Sequence, residues 1–192
     1  MITVERIDDT FTPLRWDREK TVSHEFVAAC MRADDIEVLG ALYGFVGESR
    51  YAKRISPPLQ RTELLDFLKL FFGRCLREDP RPVDFLAQRS LTRYAAGWDL
   101  VRWYVTLWKA EAVNVYVLED LKAWIADLYL DGGEELRQCL IHTTLEPLFA
   151  SPTIRHFFAD WREHPTLSAA YAAATRAPTR LRRARIAARV SR

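Results

Sequence analysis

The chain has 192 residues, of which 49% are apolar and 28% are charged, and its net charge is +2. These values are ordinary for one globular domain of about 100–200 residues, and they exclude a disordered chain, a collagen-like chain and a disulfide scaffold. The charge imbalance is too small to require an acidic partner such as a nucleic acid.

The start of the chain and its cysteines indicate a cytoplasmic protein. Acidic residues occur within the first ten positions, which does not fit a secretory signal. The most apolar stretch, residues 98–112, is interrupted by four charged residues and does not fit a membrane span. Cys30, Cys75 and Cys139 are odd in number and include no Cys-x-x-Cys pair, which is typical of buried free thiols.

The first half of the chain changes from a weak two-residue alternation to helical periodicity. Residues 1–20 are predicted to form a short strand or an extended arm. Apolar stripes with helical spacing then cover residues 22–30, 36–46 and 64–75. Asp34 or Asp35 can cap the second of these helices, and Gly47 can end it.

The pattern of the second half of the chain predicts helices separated by proline and glycine. Helices are predicted over residues 83–94, 98–109, 117–129 and 134–149. Two further helices are predicted, one that begins at Pro152 and one from Pro165 to about Arg176. Gly97 is interpreted as a break or bend, and residues 112–116 alternate as a strand would. Leu121 and Trp124 lie in the middle of the strongest apolar stripe, and we expect both to be buried.

We therefore predict an all-α, single-domain multi-helix bundle of about seven or eight helices around one core. A minor short β-pair between the N-terminal arm and residues 112–116 is compatible with the alternations. The predicted organisation is an N-terminal arm (1–20), a helical domain (21–177) and a basic C-terminal tail (178–192). Residues 164–192 contain seven arginines and no acidic residue, so the rest of the chain is slightly acidic.

One group of potential metal ligands lies on the predicted helix 134–149. Glu135, Cys139, His142 and Glu146 are spaced by four, three and four residues, which places them on one helical stripe. These side chains can bind zinc or iron, but a single helix cannot complete a metal shell, and no second helix carries a matching pattern. We therefore predict no cofactor and an ordinary polar stripe in which His142 pairs with Glu146.

Sequence signatures of catalysis are absent from the chain. It contains no Gly-x-Ser-x-Gly nucleophile elbow. It also lacks the glycine-rich loops that bind dinucleotides or nucleotide phosphates. The sequence therefore disfavours an enzyme.

Candidate partner-binding residues are of two kinds, aromatic and basic. Trp98, at a predicted helix start, can be an exposed anchor for a protein partner. The segment 50–54 reads as a basic loop around an aromatic ring, with Arg50, Tyr51 and Arg54 as candidate contacts. The tail contributes Arg180, Arg182, Arg183, Arg185 and Arg189.

The sequence thus favours a non-enzymatic α-helical module for protein–protein interaction, such as an adaptor, a regulator or a toxin-neutralising, immunity-like protein. The expected partner is another protein. The first alternative is a nucleic-acid-binding accessory protein that uses the arginine-rich tail. The second alternative is a metal-dependent enzyme centred on Glu135, Cys139, His142 and Glu146.

Overall fold

The computed structural model describes residues 2–80, 88–110 and 114–176. Contacts within the chain fall into two compact units, Met1–Thr92 and Arg93–Arg192. Each unit buries its own set of large apolar side chains. The predicted tail, 178–192, lies outside the described residues.

The described part of the first unit contains five helices and two short strands. They are α1 (Val4–Phe11), β1 (Val22–Ser23), α2 (His24–Met31), α3 (Ile36–Val46), α4 (Ser49–Ala52), β2 (Ile55–Ser56) and α5 (Arg61–Glu78). A 3-10 turn, Thr12–Arg15, follows α1 directly. The ends of α3 are as predicted, because the Asp35 side chain accepts a hydrogen bond from the N–H of Glu37 at 2.9 Å and Gly47 is the C-cap.

The segment predicted as a strand or an extended arm is helical. Thr3 caps α1 with its side chain, and Ile7 and Phe11 are fully buried. The ring of Phe11 stacks on the ring of Phe45 at 4.7 Å. The prediction is wrong because the alternation covers only a few residues, whereas the spacing of four between the two buried side chains places both on one helical face.

The described part of the second unit contains helices and turns but no strand. Its elements are α6 (Arg93–Trp108), α7 (Val115–Asp131), α8 (Glu134–Cys139), a π-helix (Leu140–Leu145), α9 (Glu146–Phe149), α10 (Pro152–Phe157), a 3-10 turn (Ala159–Glu163) and a last helical stretch over 167–176. The run from α8 to α9 matches the predicted helix 134–149. In α7, Leu121 is fully buried as expected, whereas Trp124 is only partly buried.

The prediction of an all-α multi-helix fold with a short β-pair is confirmed, but the β-pair uses other residues. β1 and β2 pair in parallel, with Val22 opposite Ile55. Of the range 112–116, Val115 and Tyr116 belong to α7, and residues 112–113 lie outside the described part. The predicted pairing is wrong because residues 115–116 continue into the apolar stripe of α7.

Gly97 does not break the helix. Residues 88–92 of the predicted helix 83–94 are not helical, and residues 83–87 lie outside the described ranges. α6 begins at Arg93 and continues through Gly97, where a Cβ would overlap the hydroxyl oxygen of Thr143. A glycine is needed at this position because the π-helix approaches α6 closely, so it marks a helix contact and not a bend.

Candidate functional site

One face of α6 combines exposed aromatic and basic side chains. Trp98 is 52% exposed, and Tyr94, one turn earlier, is 58% exposed. The side chain of Arg102, one turn later, is 76% exposed. Thr106 and Lys109 extend the same exposed stripe. Residues spaced by three or four lie on one side of a helix, so these five side chains form one surface, which we call the α6 face.

The opposite side of α6 is packed and fixes the position of the α6 face. Leu100 and Tyr104 are fully buried, and Trp103 and Trp108 are partly buried. The hydroxyl of Thr144 donates a hydrogen bond to the carbonyl of Gly97 at 3.4 Å. The α6 face is therefore carried by a helix that is anchored along its other side.

Two ion pairs at α6 orient the charged groups near the aromatic rings. Arg93 contacts Glu135 of α8 at 3.0 Å, and the side chain of Arg93 is 12% exposed. Arg102 pairs with Asp99, whose side chain is 13% exposed. Because the carboxylate of Asp99 is recessed and the guanidinium of Arg102 is not, solvent meets mainly the positive partner of this pair.

In the first unit, Arg50 and Tyr51 of α4 contact each other and residues close to them in the sequence. Tyr51 is 2% exposed, and its ring packs edge-on against Phe45 at 5.5 Å. Arg50 pairs with Glu48 at 2.7 Å and lies over the ring of Tyr51 at 4.6 Å. The prediction of a loop is wrong at these positions, since Arg50 and Tyr51 belong to α4, and the ring of Tyr51 is part of the core.

Arg54 holds the chain segment that follows α1. Its guanidinium donates hydrogen bonds to the carbonyl oxygens of Leu14, at 2.6 Å, and of Asp17 and Lys20. A guanidinium has five donors in a fixed plane, so one side chain can satisfy several carbonyls at once. Arg54 therefore has a structural role, and its role in partner binding stays a prediction. The 34 to 40 residues that separate it from these carbonyls hide the structural role in the sequence.

The four candidate metal ligands, Glu135, Cys139, His142 and Glu146, are divided among separate contacts. Glu135 pairs with Arg93. Cys139 is buried, and its Sγ lies 3.6 Å from the carbonyl oxygen of Arg93. His142 Nδ1 lies 2.9 Å from Glu146 Oε1, the contact that the spacing predicts. Among the described residues, no group of three or more His, Cys, Asp or Glu side chains is arranged to hold a metal ion.

A π-helix lies within the segment that carries the four candidate ligands. It occupies Leu140–Leu145, between Cys139 and Glu146. The four side chains also differ in burial. Glu135 and His142 are exposed at their side chains, by 84% and 55%, whereas Cys139 is fully buried.

No family model, curated protein or solved structure matches this chain. A function is therefore inferred from the chain's own surface chemistry.

In the part of the chain that the structure describes, no helix combines the length and apolar character needed to cross a membrane. The candidate partner-binding residues of the tail lie outside the described residues; they are Arg180, Arg182, Arg183, Arg185 and Arg189. The alternative of nucleic-acid binding through the tail therefore stays a prediction.

A buried lysine is a further polar feature that the sequence analysis missed. Lys122 of α7 is 8% exposed, and its Nζ lies 2.7 Å from Glu119 and 3.2 Å from Asp160. Its ammonium also lies 4.6 Å from the ring centre of Phe157. These contacts connect α7 to the segment around α10, which is a structural role. The sequence does indicate the burial of Lys122, because it follows Leu118 by four residues and so lies on the apolar side of α7.

Burial is expected to make the thiols of the first unit unreactive. It raises the pKa of the Cys30 thiol to about 11 and that of the Cys75 thiol to about 12. Since the thiolate is the nucleophile, we expect neither to react with Ellman's reagent in native buffer and both to react after unfolding in guanidinium chloride. The C139A variant restricts the titration to these two thiols. Rapid reaction of both without denaturant would contradict their burial.

Proposed function

We propose that the protein is a cytoplasmic module that binds another protein through the α6 face, as an adaptor, a regulator or a toxin-neutralising protein. The observation that carries this proposal is the exposure of Trp98 and Tyr94 on consecutive turns of one anchored helix. Tryptophan and tyrosine combine a large apolar surface with a polar group, and they are enriched among the residues that dominate binding energy at protein interfaces.

The geometry of α6 favours binding with little rearrangement. Both aromatic side chains belong to a regular helix, and the buried side of that helix includes Leu100 and Tyr104. A pre-ordered surface avoids much of the entropy cost that a flexible loop would incur on binding. Arg102, whose side chain is 76% exposed, supplies part of the polar rim that usually surrounds such anchors.

The experiment is affinity capture from the native source with wild-type protein and with the W98A and Y94A variants. Loss of an interface anchor typically weakens binding by about 2 kcal/mol or more, which is about 30-fold in Kd. We therefore expect proteins retained by the wild type to be lost from both variants in quantitative mass spectrometry.

The matched control is W16A, which removes a tryptophan that is 76% exposed in the first unit. It should retain the same proteins as the wild type. Equal retention by wild type and W98A, with unchanged circular dichroism, would show that the α6 face is not the binding surface.

A further inference from the structure

We infer that His164 is a pH-dependent cap that holds the last helical stretch, residues 167–176, at neutral pH and releases it in mild acid. The inference starts from two hydrogen bonds within the second unit. The Nδ1 atom of His164 accepts one from the backbone N–H of Thr166 and one from the backbone N–H of Leu167, both at 3.2 Å. The inference is independent of the proposed function, because the variants that test the α6 face leave His164 unchanged.

His164 occupies the N-cap position of this helix. Its own carbonyl oxygen accepts the first helical hydrogen bond, which the N–H of Ser168 donates at 3.1 Å. Pro165 follows at the first helical position, where an N–H would have no acceptor within the helix. The next two N–H groups, those of Thr166 and Leu167, donate to the imidazole. The ring therefore satisfies the groups that a serine or asparagine side chain satisfies at other helix starts.

Only a neutral imidazole can form this cap. Both of its partners are N–H donors, so Nδ1 accepts and the ring proton lies on Nε2. In the imidazolium ion both ring nitrogens carry a proton, and neither can accept a hydrogen bond. The positive ring would also lie at the positive end of the helix dipole, which is unfavourable. The cap therefore contributes fully while the ring is neutral, and its contribution is lost as the pH falls through the range of about 8 to 5 in which histidine gains a proton.

The last helix depends on its cap because few large side chains hold it. Five of its ten residues are alanine. Leu167, Ala170 and Ala174 are buried, but an alanine methyl group removes little apolar surface from water. The largest side chain of the helix is that of Tyr171, whose ring lies 5.1 Å from the ring of Phe149. A helix of this length is marginal in water unless caps and packing support it.

Ionisable side chains lie on the segments around the cap, which are the 3-10 turn before it, α10 packed against that turn, and the last helix. They are Arg155, His156, Asp160, Arg162, Glu163 and Arg176. Asp160 is already paired with Lys122 of α7 at 3.2 Å. Among the described residues, none of these groups forms an ion pair with His164. The polar contacts of the imidazole are thus those of the cap.

Two other histidines are expected to respond to acid in the opposite direction. His24 lies 3.0 Å from Glu63, and His142 lies 2.9 Å from Glu146. Protonation converts each of these contacts into an ion pair, so mild acid favours them. A loss of protection in acid that is confined to residues 167–176 would therefore be specific to the cap.

The test is amide hydrogen exchange of the full-length protein, measured by mass spectrometry at about pH 7.5 and about pH 5.5 and corrected for the intrinsic exchange rates. The central variant is H164N, because asparagine caps helices well and does not titrate. In the wild type, the protection of residues 168–176 should fall about fivefold in acid, which is the effect of losing one N-cap. H164N should keep its protection at both pH values, and H164A should lack it at both.

The matched control is H156N, which removes an exposed histidine of α10 in the same unit. It should lose protection of residues 168–176 in acid as the wild type does. The amides of α7 serve as an internal reference and should stay protected in every variant.

Three results would overturn the inference. The first is an equal response to acid in wild type and H164N. The second is full protection of residues 168–176 in H164A at neutral pH. The third is a response that H156N abolishes, which would assign the acid sensitivity to His156 instead.

Discussion

Truncation of Phe158 to alanine is expected to lower the free energy of unfolding by about 3–5 kcal/mol. Phe158 is fully buried and lies at the centre of the aromatic cluster of the second unit. Its ring is 5.0 to 6.0 Å from four other rings, those of Tyr104, Phe149, Phe157 and Trp161. Removing it costs the transfer free energy of the ring and leaves a cavity that its neighbours cannot fill completely.

Urea denaturation followed by circular dichroism and tryptophan fluorescence measures this loss. The matched control is Y116A, which removes an aromatic ring that is 85% exposed and should change the free energy of unfolding by less than about 0.5 kcal/mol. If F158A were no more destabilising than Y116A, the aromatic cluster would not be the core of the second unit.

The G97A substitution is expected to lower the free energy of unfolding by about 1–3 kcal/mol. Its Cβ would overlap the hydroxyl oxygen of Thr143 and lie 2.8 Å from the Cβ of Thr143. The Thr143 side chain cannot easily move away, because it is buried and its hydroxyl donates a hydrogen bond to the carbonyl of Cys139 at 2.8 Å. The steric overlap therefore outweighs the gain of about 1 kcal/mol that alanine brings to a helix interior.

A second helical glycine provides the control for helix propensity. Gly44 lies in α3, and a Cβ added there meets no atom within 4 Å. The G44A substitution should therefore raise the free energy of unfolding by about 0.5–1 kcal/mol. In G97A, the additional change T143A should recover part of the lost stability, which a double-mutant cycle measures. Stabilisation by G97A equal to that by G44A would disprove the close contact between α6 and the π-helix.

The local sequence could predict the features that depend on the residues of one helix alone, such as its ends and its buried side. Asp35 and Gly47 fix the ends of α3 through its own backbone groups. The buried stripe of α7 follows from the spacing of its own apolar residues, including Leu121. Trp98 is exposed, but it lies inside α6 and not at a helix start, because the helix continues through Gly97. Its role as an anchor is a proposal.

Contacts between distant parts of the chain decided the remaining features. Gly97 reads locally as a helix break, but the approach of Thr143, 46 positions away, makes it a packing site within a continuous helix. Arg54 reads as a free cation until the chain folds and brings the carbonyl of Leu14 to its guanidinium. Glu135 is drawn to Arg93 of α6, 42 positions away, while Cys139 is buried, so the four candidate metal ligands do not meet. Helical periodicity is a property of neighbouring residues, so the sequence determined which stripes are apolar. Which helix each apolar stripe packs against, and which polar side chains are buried between helices, depends on contacts between distant residues. Only the tertiary structure decided these features.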